Sequence, residues 1–242
     1  MYASSLIERV SSDLNDQAPG DEYARWYKAD LFDFLVDAER TTVAYKPEAY
    51  IRPLVIHLVA GTMQTIPDGS TSYLSPSGAT HPRVTEFVKV SRNMGESGTV
   101  AGSLIYPIQY KDIDECVPSW RTATESSSVI HYMFDPTDRR RIDVYPPQPS
   151  SASTGWIEIV GAVSPPEIVI VGDNYDVSIN LGDEYASVIR AYMLYCAYSI
   201  DAQNSEMAYQ KAISFWNSYT MLIGRKDMIE TKLPAKRMAA GQ

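Results

Sequence analysis

Leu6, Ile7, Val10 and Leu14 recur at steps of three and four, which predicts a short amphipathic helix over residues 2–15, ended by the turn-forming residues 15–20. A longer helix is predicted from about 22 to 45. There Tyr27, Leu31, Phe34, Leu35, Ala38, Thr42 and Tyr45 make one apolar stripe, with Asp30, Asp33 and Asp37 away from it and Pro47 just past the end. Beyond Tyr50 the period falls to two. In LVIHLVAG, Leu54, Ile56 and Leu58 share one side and Val55, His57 and Val59 the other, as a strand requires. Further strands are predicted at 84–90, 129–134, 142–145, 156–163 and 167–171, separated by Gly, Pro, Ser and Asp clusters such as Pro67-Asp68-Gly69, Asp135-Pro136 and Pro146-Pro147. Most of the gaps are too short for a helical crossover, so an antiparallel sheet or sandwich is expected. Helical spacing returns after Asp183, a candidate N-cap, through Val188, Ile189, Tyr192, Tyr195, Cys196 and Ile200. A last helix opens near Asn204 or Ser205 and carries Ala208, Ala212, Phe215, Tyr219 and Leu222 up to Gly224, a candidate C-cap.

The expected fold is therefore α+β. Its N- and C-terminal helices (1–48 and 173–224) form a bundle interrupted by a β-rich, sandwich-like insertion (49–172) and followed by an extended tail (225–242). The chain has 242 residues with 45% hydrophobic and 21% charged, which excludes wholesale disorder. Its 21 Lys and Arg against 30 Asp and Glu leave a net charge of −9, which argues against free attraction to DNA phosphates or an anionic membrane. The tail reverses that sign: five basic and two acidic side chains give it +3, against −12 for the remainder. No stretch reaches the ~18 apolar residues of a membrane span. The start has neither the basic residues nor the apolar run of a signal peptide, so a soluble chain is expected. Cys116 and Cys196 lie far apart in no metal or redox spacing, and a reducing compartment suffices for them. Seventeen Tyr stand against 5 Phe and 4 Trp, an excess that points to contact surfaces.

Candidate chemistry is sparse. The chain holds no P-loop, zincin, nucleophile-elbow, CxxC or EF-hand pattern. GESGTVAG (95–102) is glycine-rich but lacks the strand before and helix after that phosphate binding needs, so it reads as a turn. His57, His81 and His131 have no second ligand at metal spacing. Cys116, His131 and Asp135 are the residue types of a thiol triad, and a hydrolase built from Cys116, His131 and nearby carboxylates is one competing reading; a monomeric ligand-binding module is another. Asp30, Asp33 and Asp37 lie on one side of a helix, where a solvated face is the ordinary reading. Arg139-Arg140-Arg141 is bracketed by Asp135, Asp138 and Asp143, which favours local pairing over phosphate contact.

Several phrases in order resemble the head-to-tail adaptor proteins of short-tailed bacteriophages: the helical opening through YKADLFDFLVDAERTTVAYKPEAY, then LVAGTMQTIPDG with its Leu-x-x-Gly-x-x-Gln-x-x-Pro pattern, VSRNMG, DIDECVPSW, VIHYMFDPTDRRRIDVYPP and EYASVIRAYMLYCAYSIDAQN. The resemblance covers about residues 5–223, and the SPSGATHPR insertion departs from it. It implies a ring, commonly of twelve copies, that joins the portal to the tail nozzle, with DNA passing through without sequence-specific binding. It also implies a place in the virion neck after assembly in the host cytoplasm. No catalytic residue, metal, cofactor or membrane contact comes with it. On that reading the basic tail is expected to dock into the portal through Arg225, Lys226, Met228, Ile229, Lys232, Leu233, Lys236 and Arg237. Fixing its residues requires on the order of 20 to 30 kcal/mol of gross contact at ~1 to 2 kcal/mol each, so only part of it is expected to order.

Overall fold

Leu6, Ile7 and Val10 are buried along one side of α1 (Ala3–Asp13), and the chain leaves this helix through Asn15 in the left-handed region, φ 56°. The computed structural model describes residues 1–17, 23–70, 75–150, 154–203 and 205–230, with side chains through 224. Helix α2 (Lys28–Tyr45) starts later than its periodicity predicts. The Asp16 carboxylate accepts the backbone N–H of Arg25 (3.2 Å) and Trp26 (2.8 Å), and Tyr23 sits at φ 61°, so residues 23–26 are committed to a turn. The buried side of α2 is also rotated from the expected stripe. Leu31, Phe32, Leu35, Ala38, Glu39, Thr42 and Val43 are buried, whereas Tyr27 and Tyr45 are exposed and Phe34 is half-buried.

The fold is α+β, and the chain divides into two units: Met1–Ala49 with Pro165–Gln242, and Tyr50–Ser164. In the first, α4 (Ala186–Asp201) packs against α1, α2 and α5 (Glu206–Glu230). Asp183 does not cap α4; residues Asp183–Tyr185 form a 3-10 turn and no side chain caps the helix. Ser205 does serve at the start of α5, its Oγ accepting Ala208 N–H at 3.3 Å. Gly224 does not end α5. It keeps helical backbone with open space where a Cβ would lie, and the helix runs on to Glu230. Between α4 and α5 the rings interleave, Tyr195 with Trp216 at 5.0 Å, Tyr192 with Tyr219 at 5.1 Å and Tyr198 stacked on Phe215 at 5.6 Å. Arg190 on α4 holds Asp13 at the end of α1 through two bonds of 2.6 Å.

The segment between the β region and α4 is held by Glu39, which is buried on α2. Its carboxylate accepts Asn180 N–H at 2.7 Å, Leu181 N–H at 3.0 Å and Asn180 Nδ2 at 2.9 Å. The period-two run at 167–171 is not a strand, and Val171 makes only an isolated bridge to Asn174.

The second unit contains two sheets. One has the order β1 (Ile51–His57), β7 (Trp156–Val163), β3 (Val84–Asn93), all antiparallel; the other has the order β2 (Gly61–Thr65), β6 (Arg141–Gln148), β5 (His131–Phe134), β4 (Tyr106–Pro107), with β4 parallel to β5. Four departures from the sequence reading stand out. Strand β5 opens at His131 rather than 129, β3 continues to Asn93, and a short helix α3 (Tyr110–Cys116) occupies a stretch with one buried residue, Ile113. Strand β6 also runs through Pro146-Pro147 to Gln148. Two prolines are tolerated because the register against β2 slips between Gly61 and Met63, and the carbonyls of Tyr145 and Pro147 accept Ile130 and Ser126 N–H instead. In the SPSGATHPR stretch, His81 is buried and its Nε2 donates to the Val55 carbonyl on the edge strand β1 at 2.8 Å. Among the described residues no helix is long and apolar enough to cross a membrane.

Replacing Glu39 by Ala strands two buried backbone donors, so the urea-unfolding free energy should fall by about 2–4 kcal/mol, against less than about 0.5 kcal/mol for the exposed Asp37→Ala. Burial pushes the His81 pKa below its ordinary 6.5, a shift that its bond to Val55 opposes. The unfolded chain therefore takes up the proton first, so this contribution is complete above pH 6.5 and is lost as pH falls towards the folded value. Urea midpoints measured from pH 7.5 to 5 should show that decline in the wild type and a shallower one in His81→Gln.

Candidate functional site

Two of the family-like phrases, LVAGTMQTIPDG and VSRNMG, include glycines at which the chain turns. In Leu58-x-x-Gly61-x-x-Gln64-x-x-Pro67, Leu58 is buried and Gly61 turns the chain at φ 90°. Gln64, buried on β2, accepts Val59 N–H at 2.7 Å and returns its own Nε2 to the Val59 carbonyl at 2.8 Å, closing the β1–β2 connection. Pro67 offers its carbonyl to Val84 N–H at 3.0 Å and to Arg140 at 3.2 Å.

Asn93, at the end of β3, joins three segments. Its Oδ1 accepts Val129 N–H at 2.8 Å, and its Nδ2 donates to the Val129 carbonyl at 2.8 Å and to Ser103 Oγ at 2.9 Å. Gln148 does the same at the end of β6, donating to the Ser126 carbonyl at 2.9 Å and accepting Gly155 N–H at 2.8 Å. A Cβ on Gly155 would stand 2.0 Å from the Ser127 carbonyl, so only glycine fits there.

In DIDECVPSW, Trp120 is fully buried with Ile113 and Met133, and its indole N–H donates to Asp114 at 2.7 Å. Arg121 lies over that ring at 4.2 Å. Asp143 has no exposed surface. Arg141 binds it at 2.8 Å and Tyr110 donates to it at 2.8 Å. Burial and that carboxylate raise the Tyr110 pKa, so the phenol stays a proton donor. The carboxylate oxygens are committed to these partners, which leaves the cluster a structural role.

The residues with catalytic potential are not brought together. Cys116 is exposed at the end of α3; His131 is half-buried on β5, near-parallel to the Tyr145 ring at 6.5 Å; and Asp135 caps its own turn by accepting Thr137 N–H at 2.9 Å and Thr137 Oγ1 at 2.7 Å. Among the described residues no hydrogen bond links these three and no group of His, Cys, Asp and Glu has the makings of a metal site. Cys196 is half-buried on α4, where burial, aided by Asp37, raises its thiol to about 11 and keeps it protonated. Asp30, Asp33 and Asp37 are exposed along α2. Of the arginine run, Arg141 pairs with Asp143, Arg140 reaches the carbonyls of Pro67 and Val84, and Arg139 is exposed. Residues 95–102 form a turn with Gly95 and Gly98 at φ 64° and 73°.

What remains is surface. A groove of about 790 Å³ runs beside β3, lined by Phe87, Val88, Pro107, Ile108, Tyr132 and Phe134. A polar cavity of about 480 Å³ is lined by His57, Asn93, Glu96, Thr154 and Trp156, where His57 is tilted 4.4 Å from the Trp156 ring. Tyr2, Tyr27, Tyr45, Tyr106 and Tyr209 are exposed, while Tyr50, Tyr132, Tyr185 and Tyr219 are buried, so the tyrosine excess serves core and surface alike. Sequence reasoning missed the side-chain clamps. Their one signal is an amide inside an apolar run, as at Gln64 and Asn93. Of the tail residues expected to bind a partner, Lys232, Leu233, Lys236 and Arg237 lie outside the described residues, and for Arg225, Lys226, Met228 and Ile229 only the helical backbone is described.

Against known proteins, the family model for the SU10 adaptor protein matches residues 1–236, including much of the tail that the sequence resemblance left unmatched. No curated protein matches the chain.

If Asn93 holds three segments, Asn93→Ala should cost about 2–4 kcal/mol in urea unfolding, because both backbone groups of buried Val129 lose their bonds. Asn93→Asp should cost at least as much, since it turns a carboxylate oxygen towards the Val129 carbonyl. A loss below about 1 kcal/mol for both would remove Asn93 from this role.

Proposed function

The chain belongs to the SU10 adaptor protein family, whose members are phage head–tail adaptors, and from that premise we propose that it forms a ring in the virion neck joining the portal to the tail nozzle. The single observation that carries this reading is the family match over residues 1–236. Two features of the molecule support it. The side chains of the family-like phrases hold loops and strands in place rather than converge on a reacting centre. The exposed carboxylates of Asp30, Asp33 and Asp37 and the net charge of −9 suit a wall past which DNA moves without sticking, because attraction to phosphate grows with each cation presented.

The tail is the proposed portal contact, with Arg225, Lys226, Met228, Ile229, Lys232, Leu233, Lys236 and Arg237 supplying the cationic and apolar groups. The last buried side chain described on α5 is Ile223, just before the tail.

Purified chain mixed with the portal of its own phage should give rings bound to portal in electron micrographs. Deleting 225–242 should leave the thermal unfolding curve nearly unchanged and weaken portal attachment at least about tenfold, equivalent to 1.4 kcal/mol or more. Unchanged attachment would refute the tail's role; a chain that neither forms rings nor binds portal would refute the adaptor reading.

A further inference from the structure

The run Glu167–Val171 reads as a strand in sequence and joins no sheet in structure, Val171 making only an isolated bridge to Asn174. Ile168 and Ile170 are half-buried, whereas Val169 and Val171 are 68% and 81% exposed, which is the alternation of an extended strand with one apolar side left open. Among the described residues the backbone of 167–170 enters no hydrogen bond. The segment is nevertheless tethered at both ends. Pro165 and Pro166 favour extended chain at its start, and the Pro166 carbonyl accepts Asn180 Nδ2 at 3.0 Å. Beyond it, the Tyr175 and Val177 carbonyls accept N–H groups of α1, and Glu39 grips Asn180 and Leu181. It is an unpaired strand held open, so pairing it would order little additional chain.

A matching acceptor exists in the other unit. Strand β3 pairs with β7 on one side, and among the described residues the backbone of 85–89 has no partner on the other. Register shifts against β7 fall at the start of this stretch, inside it between Phe87 and Lys89, and just beyond it. Beside it lies the groove in which Phe87, Val88, Ile108 and Phe134 offer apolar surface that exposed valines can bury against, among the charged Lys111, Asp112 and Asp135. Two other edges are less open. On β1, Pro53 has no N–H to offer and the Val55 carbonyl is taken by His81; β4 is two residues with Pro107.

We propose that residues 167–171 of one copy add as a strand to the outer edge of β3 in a second copy, seating Val169 and Val171 in the groove beside Val88. Main-chain bonds supply the attachment and the groove supplies the selectivity. Donor and acceptor are different patches of the same chain, so the contact is head-to-tail, the kind whose repetition closes a ring. The proposal rests on the ring-forming adaptor reading and names the contact between its subunits.

The test is ring assembly with portal, scored by electron microscopy and sedimentation, for the wild type, the double variant Val169→Asp/Val171→Asp, and Val100→Asp as an equally exposed control. The double variant should fold with an unchanged circular dichroism spectrum and lose about tenfold in ring yield, while Val100→Asp assembles normally. Normal ring yield from the double variant would overturn the strand contact and leave the adaptor reading intact; no rings from the wild type would overturn both. Independently, Val88→Cys with Val169→Cys in a Cys116→Ser background should give, on oxidation of the assembled rings, a ladder of disulfide-linked multimers. A linked monomer alone, or no linked species, would overturn the proposal.

Discussion

A backbone N–H or C=O buried in irregular chain costs about 1–3 kcal/mol when it finds no partner, and this protein meets that constraint with a few polar side chains. Ladders alone do not reach every buried group. Gln64 satisfies both groups of Val59, Asn93 both groups of Val129, and Gln148 joins Ser126 to Gly155. Glu39 does the same in the helical unit for Asn180 and Leu181. In each case a polar residue sits in an apolar place because the neighbouring backbone needs it there. Gly155 shows the same economy from the other side, since the close approach of Ser127 leaves no room for a Cβ.

These clamps decide how the family-like phrases should be understood. Residue types that read as chemistry in isolation, such as Asp143 with Arg141 and Tyr110 or Asp114 with Trp120, have their reactive atoms occupied by internal partners. A carboxylate already holding a guanidinium and a phenol is a poor general base. The same occupancy makes a good strut. A structural adaptor needs loops of defined shape more than it needs reactive groups, and fixing loop backbone through buried amides gives that shape.

The sequence was most legible where structure is local. Strand β7 spans the predicted residues 156–163, and α1 differs from its prediction only at the ends, because hydrophobic period and turn residues decide both. Legibility failed where a distant partner decides. The start of α2 is set by Asp16, ten residues before Trp26 in the chain; β6 crosses two prolines because Ile130 and Ser126 come to its carbonyls; Gly224 stays helical where a stop was expected. Helix α3 has one buried residue and so no stripe to read. The triad-like set failed for a related reason. Sequence lists residue types, but Asp135 is consumed by Thr137 in its own turn, a use as local as a helix cap and visible as Asp-Pro-Thr.

The run at 167–171 is a different kind of mismatch. Elsewhere a tertiary partner overrides local preference; here local preference for a strand is strong, and the partner is what is missing among the described residues. Natural chains tend towards agreement between local preference and global structure, and the places that break it tend to be functional. Two exposed valines on a tethered, unpaired strand would be a hazard on a solitary protein, because such a segment recruits any free edge it meets. On the ring reading proposed above, the same segment has a destination in a neighbouring copy, at the outer edge of β3 beside its groove. What is a hazard in isolation then becomes a contact between subunits.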